Sequence, residues 1–262
     1  MSAPLTSWPP APSGTWVIDL DGVIWLMGQP IEGVEQAIAA LRGAGVRTFF
    51  ATNNSASTRA ELHKRLGQCG ITATDDDILS SADVAAGLLP VGSSALLVAD
   101  DGVREALRSR GVNVVTEPPA DAVVVGWTRT FTHDDVAAAA DAIRAGARLI
   151  GTNEDPTYPT PDGLLPGGGS ILAMVATASG ATPEVAGKPH APTASAIAAR
   201  AGDVRVMVGD RPSTDGALAT QLSVPFALVL SGVTGPGDDP GTPPPATIAP
   251  DLAALVRDVL GL

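Results

Sequence analysis

Val17-Ile18-Asp19-Leu20-Asp21-Gly22-Val23 sets the reading of the whole chain. Two carboxylates stand two residues apart at the end of an apolar, β-branched run. Trp16, Val17 and Ile18 read as a buried strand, and Gly22 reads as the turn that ends it. Residues i and i+2 of a strand point to the same side. Asp19 and Asp21 therefore leave the sheet edge together, beside a glycine whose backbone can come close to a ligand. Two acids forced together share a proton or hold a cation. Alone, a D-x-D-G string is also what a polar strand end looks like as it runs into a turn, so the rest of the chain has to decide.

Outward from that stretch, short β-branched runs alternate with Ala-rich stretches of helical period. This pattern predicts an α/β fold with a mainly parallel sheet. Strands are expected at 15–20, 46–52, 95–99, 122–126, 148–151, 204–209 and 226–230. Helices are expected at 34–42, 58–69, 102–110, 134–145, 170–179, 192–201 and 252–260. Residues 236–250, dense in Pro, Gly and Asp, read as a loop. Ligands of open α/β sheets bind beyond the carboxyl ends of the strands. Three predicted strands end in chemically loaded residues: Asp19 and Asp21, Thr52-Asn53-Asn54, and Gly209-Asp210-Arg211. The strands between the second and third of these suit a second, smaller α/β layer, inserted at roughly 83–181. Residues 1–82 and 182–262 would then form the first.

Composition narrows the chemistry. With 262 residues, 45% of them hydrophobic, the chain can bury a sizeable core, and with only 3% aromatics that core is aliphatic. The formal net charge is −12, from 28 acids against 16 bases. Such a surface repels nucleic-acid backbones and anionic lipid, so neither nucleic acid nor membrane is an expected partner. An anionic substrate would depend on local positive charge, from a metal or a lysine. The single cysteine, Cys69, excludes an intramolecular disulfide and fits a reducing compartment. Residues 1–14 are rich in Pro and Ser and read as neither a signal peptide nor a membrane span. A cytoplasmic protein is expected.

The loaded residues supply the parts of a phosphoryl transfer. Asp19 can attack phosphorus as a nucleophile. Asp21 can protonate the leaving oxygen and then activate water. Thr52 can donate its hydroxyl to a phosphate oxygen, as can the backbone around Asn53. Lys188, in Gly187-Lys188-Pro189, offers a point charge against a dianion. Asp210 and Asp215 add carboxylates for a hard cation such as Mg²⁺. Singly, Thr52 could cap a helix, Lys188 could be solvated and Asp210 could serve a turn. Their order along the chain is far more specific than any one of them.

In that order the chain resembles the haloacid dehalogenase (HAD) superfamily, whose four motifs match Asp19–Asp21, Thr52, Lys188 and Asp210–Asp215. Ala51-Thr52-Asn53-Asn54-Ser55 resembles the class IIA, p-nitrophenylphosphatase-like branch. So do Gly151-Thr152-Asn153-Glu154-Asp155 with Pro159, Gly163 and Pro166-Gly167-Gly168-Gly169, and Leu230-Ser231-Gly232-Val233-Thr234. The resemblance implies a Rossmann-like catalytic core at 1–82 and 182–262 with a C2-type α/β cap at 83–181. It implies a Mg²⁺-dependent phosphomonoesterase that works through an aspartyl phosphate. Asp19 would be nucleophile and metal ligand. Asp21 would be acid/base and bind metal through its backbone carbonyl. Thr52 and Lys188 would hold the phosphoryl group, and Asp210 and Asp215 would serve the metal. Gly22, Asn53, Asn54 and the cap residue Asp155 are the expected substrate contacts. Departures are few. His190 and Ala191 follow Gly187-Lys188-Pro189 where many relatives carry small polar or acidic residues, and Arg129 stands where an acid is common.

The substrate implied is a small phosphomonoester, with glycerol 3-phosphate favoured over phosphoglycolate, pyridoxal phosphate, a nucleotide monophosphate or a sugar phosphate. Cap-type relatives often form homodimers through the cap. The rival readings are a phosphotransferase with an acceptor other than water and a non-catalytic phosphometabolite-binding protein on the same fold.

Overall fold

The computed structural model describes Trp8, residues 13–160 and residues 163–262. Apart from Trp8, Ser13 and Gly14, the Pro-rich start lies outside the described residues. Thr15–Ile18 forms the buried strand expected from the opening motif. It pairs in parallel with Val204–Gly209 on one side and Arg47–Thr52 on the other. The six-stranded sheet runs Thr247–Ala249, Phe226–Val229, Val204–Gly209, Thr15–Ile18, Arg47–Thr52, Ile78–Ser80. Ile18 is in register with both Val208 and Phe50. One or two residues further on, all three chains therefore reach their polar ends together, at Asp19, Gly209-Asp210 and Ala51-Thr52. Register, not side-chain attraction, brings the site residues of this sheet to one edge.

Helices cover the sheet by burying one stripe each. Val34–Gly43 buries Val34, Ala37, Ile38 and Leu41, the i, i+3, i+4, i+7 spacing of a core-facing helix. Leu252–Leu260 buries Leu252, Ala253, Leu255 and Val256 and packs against it. Asp251 caps that second helix, its carboxylate accepting from the Ala254 N–H at 2.7 Å.

The chain divides into two compact units. One comprises Met1–Thr52, His63–Leu79 and Ala194–Leu262, and the other Asn53–Leu62 and Ser80–Thr193. The second unit has its own five-stranded sheet, in the order Glu184–Val185, Arg148–Gly151, Ala122–Val125, Ser94–Val98, Asn113–Val115, parallel throughout. Ala122–Val125 is buried at every position, as a central parallel strand must be when helices cover both faces. Leu96, Val98, Val123, Val125 and Leu149 form one core with Val136 and Ile143 of the helix His133–Arg144 and Ile171, Leu172 and Val175 of the helix Gly168–Ser179. A capping box between Thr132 and Asp135 fixes the start of the first of these helices. All seven expected strands and all seven expected helices are present; 148–151, 204–209 and 252–260 keep their bounds and the others shift at an end by one or two residues.

Several short elements go beyond that expectation. Thr247–Ala249 is a strand inside the stretch read as a loop, which corrects that reading. It is three residues long, lies at a sheet edge and exposes Ile248, so no period-2 signal marks it. Ile78–Ser80, at the opposite edge, runs directly into the helix Ser81–Gly87 with no turn residue between them. Two hairpins, Trp25–Leu26 with Gln29–Pro30 and Thr157–Thr160 with Gly163–Pro166, are local excursions from the α/β alternation.

Candidate active site

In the first unit, three carboxylates converge at the sheet edge. Asp19, Asp210 and Asp215 are 7%, 4% and 1% exposed. Each offers an oxygen within 4.8 Å of the others. The backbone fixes each one. The Asp19 N–H donates to the Val208 carbonyl at 2.9 Å. Asp210 Oδ2 accepts from the Val233 N–H, and Asp215 Oδ2 from the Arg211 N–H at 3.1 Å. Close approach is possible because glycines line the pocket. A Cβ on Gly22 (φ +86°) would stand 2.4 Å from Asp210 Oδ2, and one on Gly232 2.0 Å from the same atom. Gly209 is as constrained, since its Cβ would meet Asp215 Cγ at 2.2 Å.

Three buried negative charges at this spacing repel by roughly 3 kcal/mol per pair at an effective dielectric near 20. The arrangement suits a hard divalent cation, and all the donors are carboxylate oxygens. Mg²⁺, which keeps several waters and takes few protein ligands, fits this donor set.

Asp21 is turned differently. Its Oδ1 accepts from the Trp25 indole Nε1–H at 3.0 Å and its Oδ2 from Thr52 Oγ1 at 3.4 Å. The turn between them is tied by its own backbone. The Gly22 N–H donates to the Trp25 carbonyl at 2.7 Å, and the N–H groups of Ile24 and Trp25 donate to Leu20 O. Ser231 Oγ closes over it, donating to Gly22 O at 2.7 Å. Of the residues given a chemical role from the sequence, the first unit thus gathers Asp19, Asp21, Gly22, Thr52, Asp210 and Asp215. Sequence reasoning passed over Trp25 and gave Ser231-Gly232-Val233 no role. A tryptophan four residues after Asp21, and a second Gly-containing turn after the last motif, were the available signals.

The second unit gathers Asn53, Asp155 and Lys188. Lys188 is 4% exposed. Asn53 Oδ1 accepts from the Lys188 N–H at 2.8 Å, and Asn53 Nδ2 donates to Lys188 O and to Asp155 Oδ2, both at 3.1 Å. Asn153 Nδ2 donates to Asn53 O at 2.8 Å while its Oδ1 accepts from the Asp155 N–H. Asn54 Oδ1 accepts from the N–H groups of Ala56 and Ser57, the geometry of an Asx turn. His190 pairs with Glu154 at 2.8 Å. In the first unit, His63 pairs with Asp75 at 2.7 Å. Arg129 is exposed. Cys69, also in the first unit, is buried, and burial pushes its thiol up, away from a reactive thiolate.

Comparison with known proteins agrees with this geometry. The model of the haloacid dehalogenase-like hydrolases matches residues 16–113, and a HAD-hydrolase-like model matches residues 185–255. D-glycerol 3-phosphate phosphatase of Mycobacterium tuberculosis is 39% identical over 253 residues, 92% of this chain and 70% of the relative. The structure of a glycerol phosphate phosphatase from the same organism in complex with magnesium superposes with a TM-score of 0.85 at 36% identity, covering 94% of this chain and 77% of that one. A p-nitrophenyl phosphatase from Archaeoglobus fulgidus gives 0.85 at 28% identity, covering 93% and 98%. The chain belongs to the haloacid dehalogenase-like hydrolases, in their class IIA branch. Within them it is a phosphatase, a hydrolase of phosphoric monoesters, with a carboxylate cluster suited to a divalent cation.

Proposed function

We propose that the chain hydrolyses glycerol 3-phosphate through a phosphorylated Asp19. The buried convergence of Asp19, Asp210 and Asp215 carries this reading, because such a site binds a cation and presents a carboxylate oxygen beside it. Asp19 Oδ attacks phosphorus, forming the acyl phosphate as the bond to the leaving alkoxide breaks. Asp21 gives that alkoxide its proton. Asp21 then takes a proton from water, the water oxygen attacks phosphorus, and the P–O bond to Asp19 breaks to free inorganic phosphate. Trp25 holds the Asp21 carboxylate in one orientation for both proton transfers, while the Thr52 hydroxyl, which rests on Asp21 Oδ2 in the free site, turns its single hydrogen to the phosphoryl group. Lys188 and Thr52 meet the phosphoryl oxygens. Mg²⁺ held by Asp19, Asp210 and Asp215, with the Asp21 carbonyl, would offset the charge of carboxylates and phosphoryl group alike.

Residues 83–181 act as the cap of this enzyme and present Asp155 to the substrate, with the core formed by 1–82 and 182–262. Gly22, Asn53 and Asn54 line the approach to the phosphoryl group. Glycerol 3-phosphate is favoured because the mycobacterial relative, matched over nearly the whole chain, bears that activity in its name. Among the described residues no helix is long and apolar enough to cross a membrane. The single buried cysteine supports a cytoplasmic setting. The test is phosphate release, with Mg²⁺ and with EDTA, from glycerol 3-phosphate, phosphoglycolate, pyridoxal phosphate, a nucleoside monophosphate and a sugar phosphate. The reading expects EDTA-sensitive release, fastest from glycerol 3-phosphate. Faster release from another ester reassigns the substrate, and no release from any of them rejects the hydrolase.

A further inference from the structure

The geometry points to Asn53 as the positioning residue of Lys188: its carboxamide brackets the lysine's own peptide units and thereby sets where the ammonium stands. This inference rests on the reading of Lys188 as the phosphoryl-binding cation. Asn53 Oδ1 takes the Lys188 N–H at 2.8 Å while Asn53 Nδ2 gives to Lys188 O at 3.1 Å. One planar amide thus satisfies both backbone groups of a residue 135 positions away, as a neighbouring strand would. The second Nδ2 hydrogen goes to Asp155 Oδ2 at 3.1 Å, so both amide donors and the acceptor are committed within the protein. The amide is itself held. The Asn53 carbonyl accepts from Asn153 Nδ2 and from Ser81 Oγ, both at 2.8 Å.

Lys188 has a long, flexible stem and a point charge, and the residue is 4% exposed. A lysine so placed needs its backbone fixed if its ammonium is to meet one spot. Asn53 does this while the hydroxyl of its chain neighbour Thr52 donates to Asp21 Oδ2 at 3.4 Å. Asn53 therefore acts on the phosphoryl group through Lys188, and its side chain leaves direct contact to others.

The experiment measures binding of inorganic phosphate in the presence of Mg²⁺ by ³¹P NMR line shape, which follows millimolar affinities. It compares wild type, Asn53→Ala, Lys188→Ala and the double variant. Asn53→Ala is expected to weaken phosphate at least about tenfold with Lys188 present and less than about twofold without it, the non-additivity of residues acting as a unit. The Mg²⁺ activation constant stays unchanged, a readout that general loss of structure would move. Asn53→Ser, whose hydroxyl cannot span both Lys188 groups, shows the same pattern and serves where the alanine variant fails to fold. Equal loss in both backgrounds overturns the inference, because Asn53 would then touch phosphate directly. No loss in either also overturns it. Unchanged binding in Lys188→Ala overturns instead the reading of Lys188 on which it rests.

Discussion

The indole Nε1–H of Trp25, a residue 2% exposed, donates to Asp21 Oδ1 at 3.0 Å. The donor belongs to the same tight turn as its acceptor, so the aim of the carboxylate is built into the D-x-D-G motif and its next turn of chain. Trp25→Phe keeps the buried ring and removes only that donor. Turnover should fall about tenfold, the worth of one hydrogen bond to a charged group. KM should hold, since the bond orients the proton-transfer group and leaves the phosphoryl contacts intact. Steady-state kinetics on glycerol 3-phosphate check this. An unchanged kcat would show that Asp21 needs no indole donor to work.

Gly209 is required by its neighbour and not by its own backbone. A Cβ there would lie 2.2 Å from Asp215 Cγ and 2.3 Å from Asp215 Cβ, too near the chain for a rotamer change to relieve. Gly209→Ala is expected to displace Asp215 and to raise the Mg²⁺ concentration needed for half-maximal activity at least about tenfold. A Mg²⁺ titration of activity reads it directly. An unshifted midpoint would remove Asp215 from the metal site.

The carboxylate cluster stores repulsion that a cation relieves. Mg²⁺ should raise the melting temperature of the wild-type chain, because it binds the folded state preferentially. Without Mg²⁺, Asp210→Asn should melt higher than wild type, by roughly 2–4 °C for each kcal/mol of repulsion removed in a chain of this size. Calorimetry with Mg²⁺ and with EDTA tests both. A variant that melts lower in EDTA would show that the three charges are not in conflict.

Acid stability should depend on Asp77. Burial pushes its carboxyl up, but the Thr74 hydroxyl, the Thr74 N–H and the Arg47 guanidinium together outweigh that and hold it below the usual carboxylate range. A carboxyl lowered on folding stabilises the native state above its unfolded value, about 3.9. That contribution fades as pH falls through the folded value. Asp77→Asn should therefore cost about 1 kcal/mol at pH 7, and its gap to wild type should close below about pH 4. Urea denaturation across pH measures the gap. A constant difference would deny the linkage.

Periodicity and strand-end chemistry made the framework legible. The i, i+2 spacing of Asp19 and Asp21 and the β-branched runs at 46–52 and 204–209 already imply one sheet edge carrying both motifs, and the parallel register of Ile18 with Phe50 and Val208 realises it. Thr247–Ala249 escaped because a three-residue edge strand in a Pro-rich stretch has no period to read. The bracket of Asn53 around Lys188 was invisible for another reason. It joins residues 135 apart through backbone groups, which every residue type shares. Trp25 lay in plain view, but a buried aromatic in an apolar run reads first as core.

Phosphate release from glycerol 3-phosphate by wild type and by Asp19→Asn, each with Mg²⁺ and with EDTA, tests the central claim most directly. The nucleophile assignment predicts release by wild type with Mg²⁺ alone and a loss of at least about a thousandfold in the variant, whose fold stays intact. Turnover by Asp19→Asn at a rate near that of wild type would contradict it.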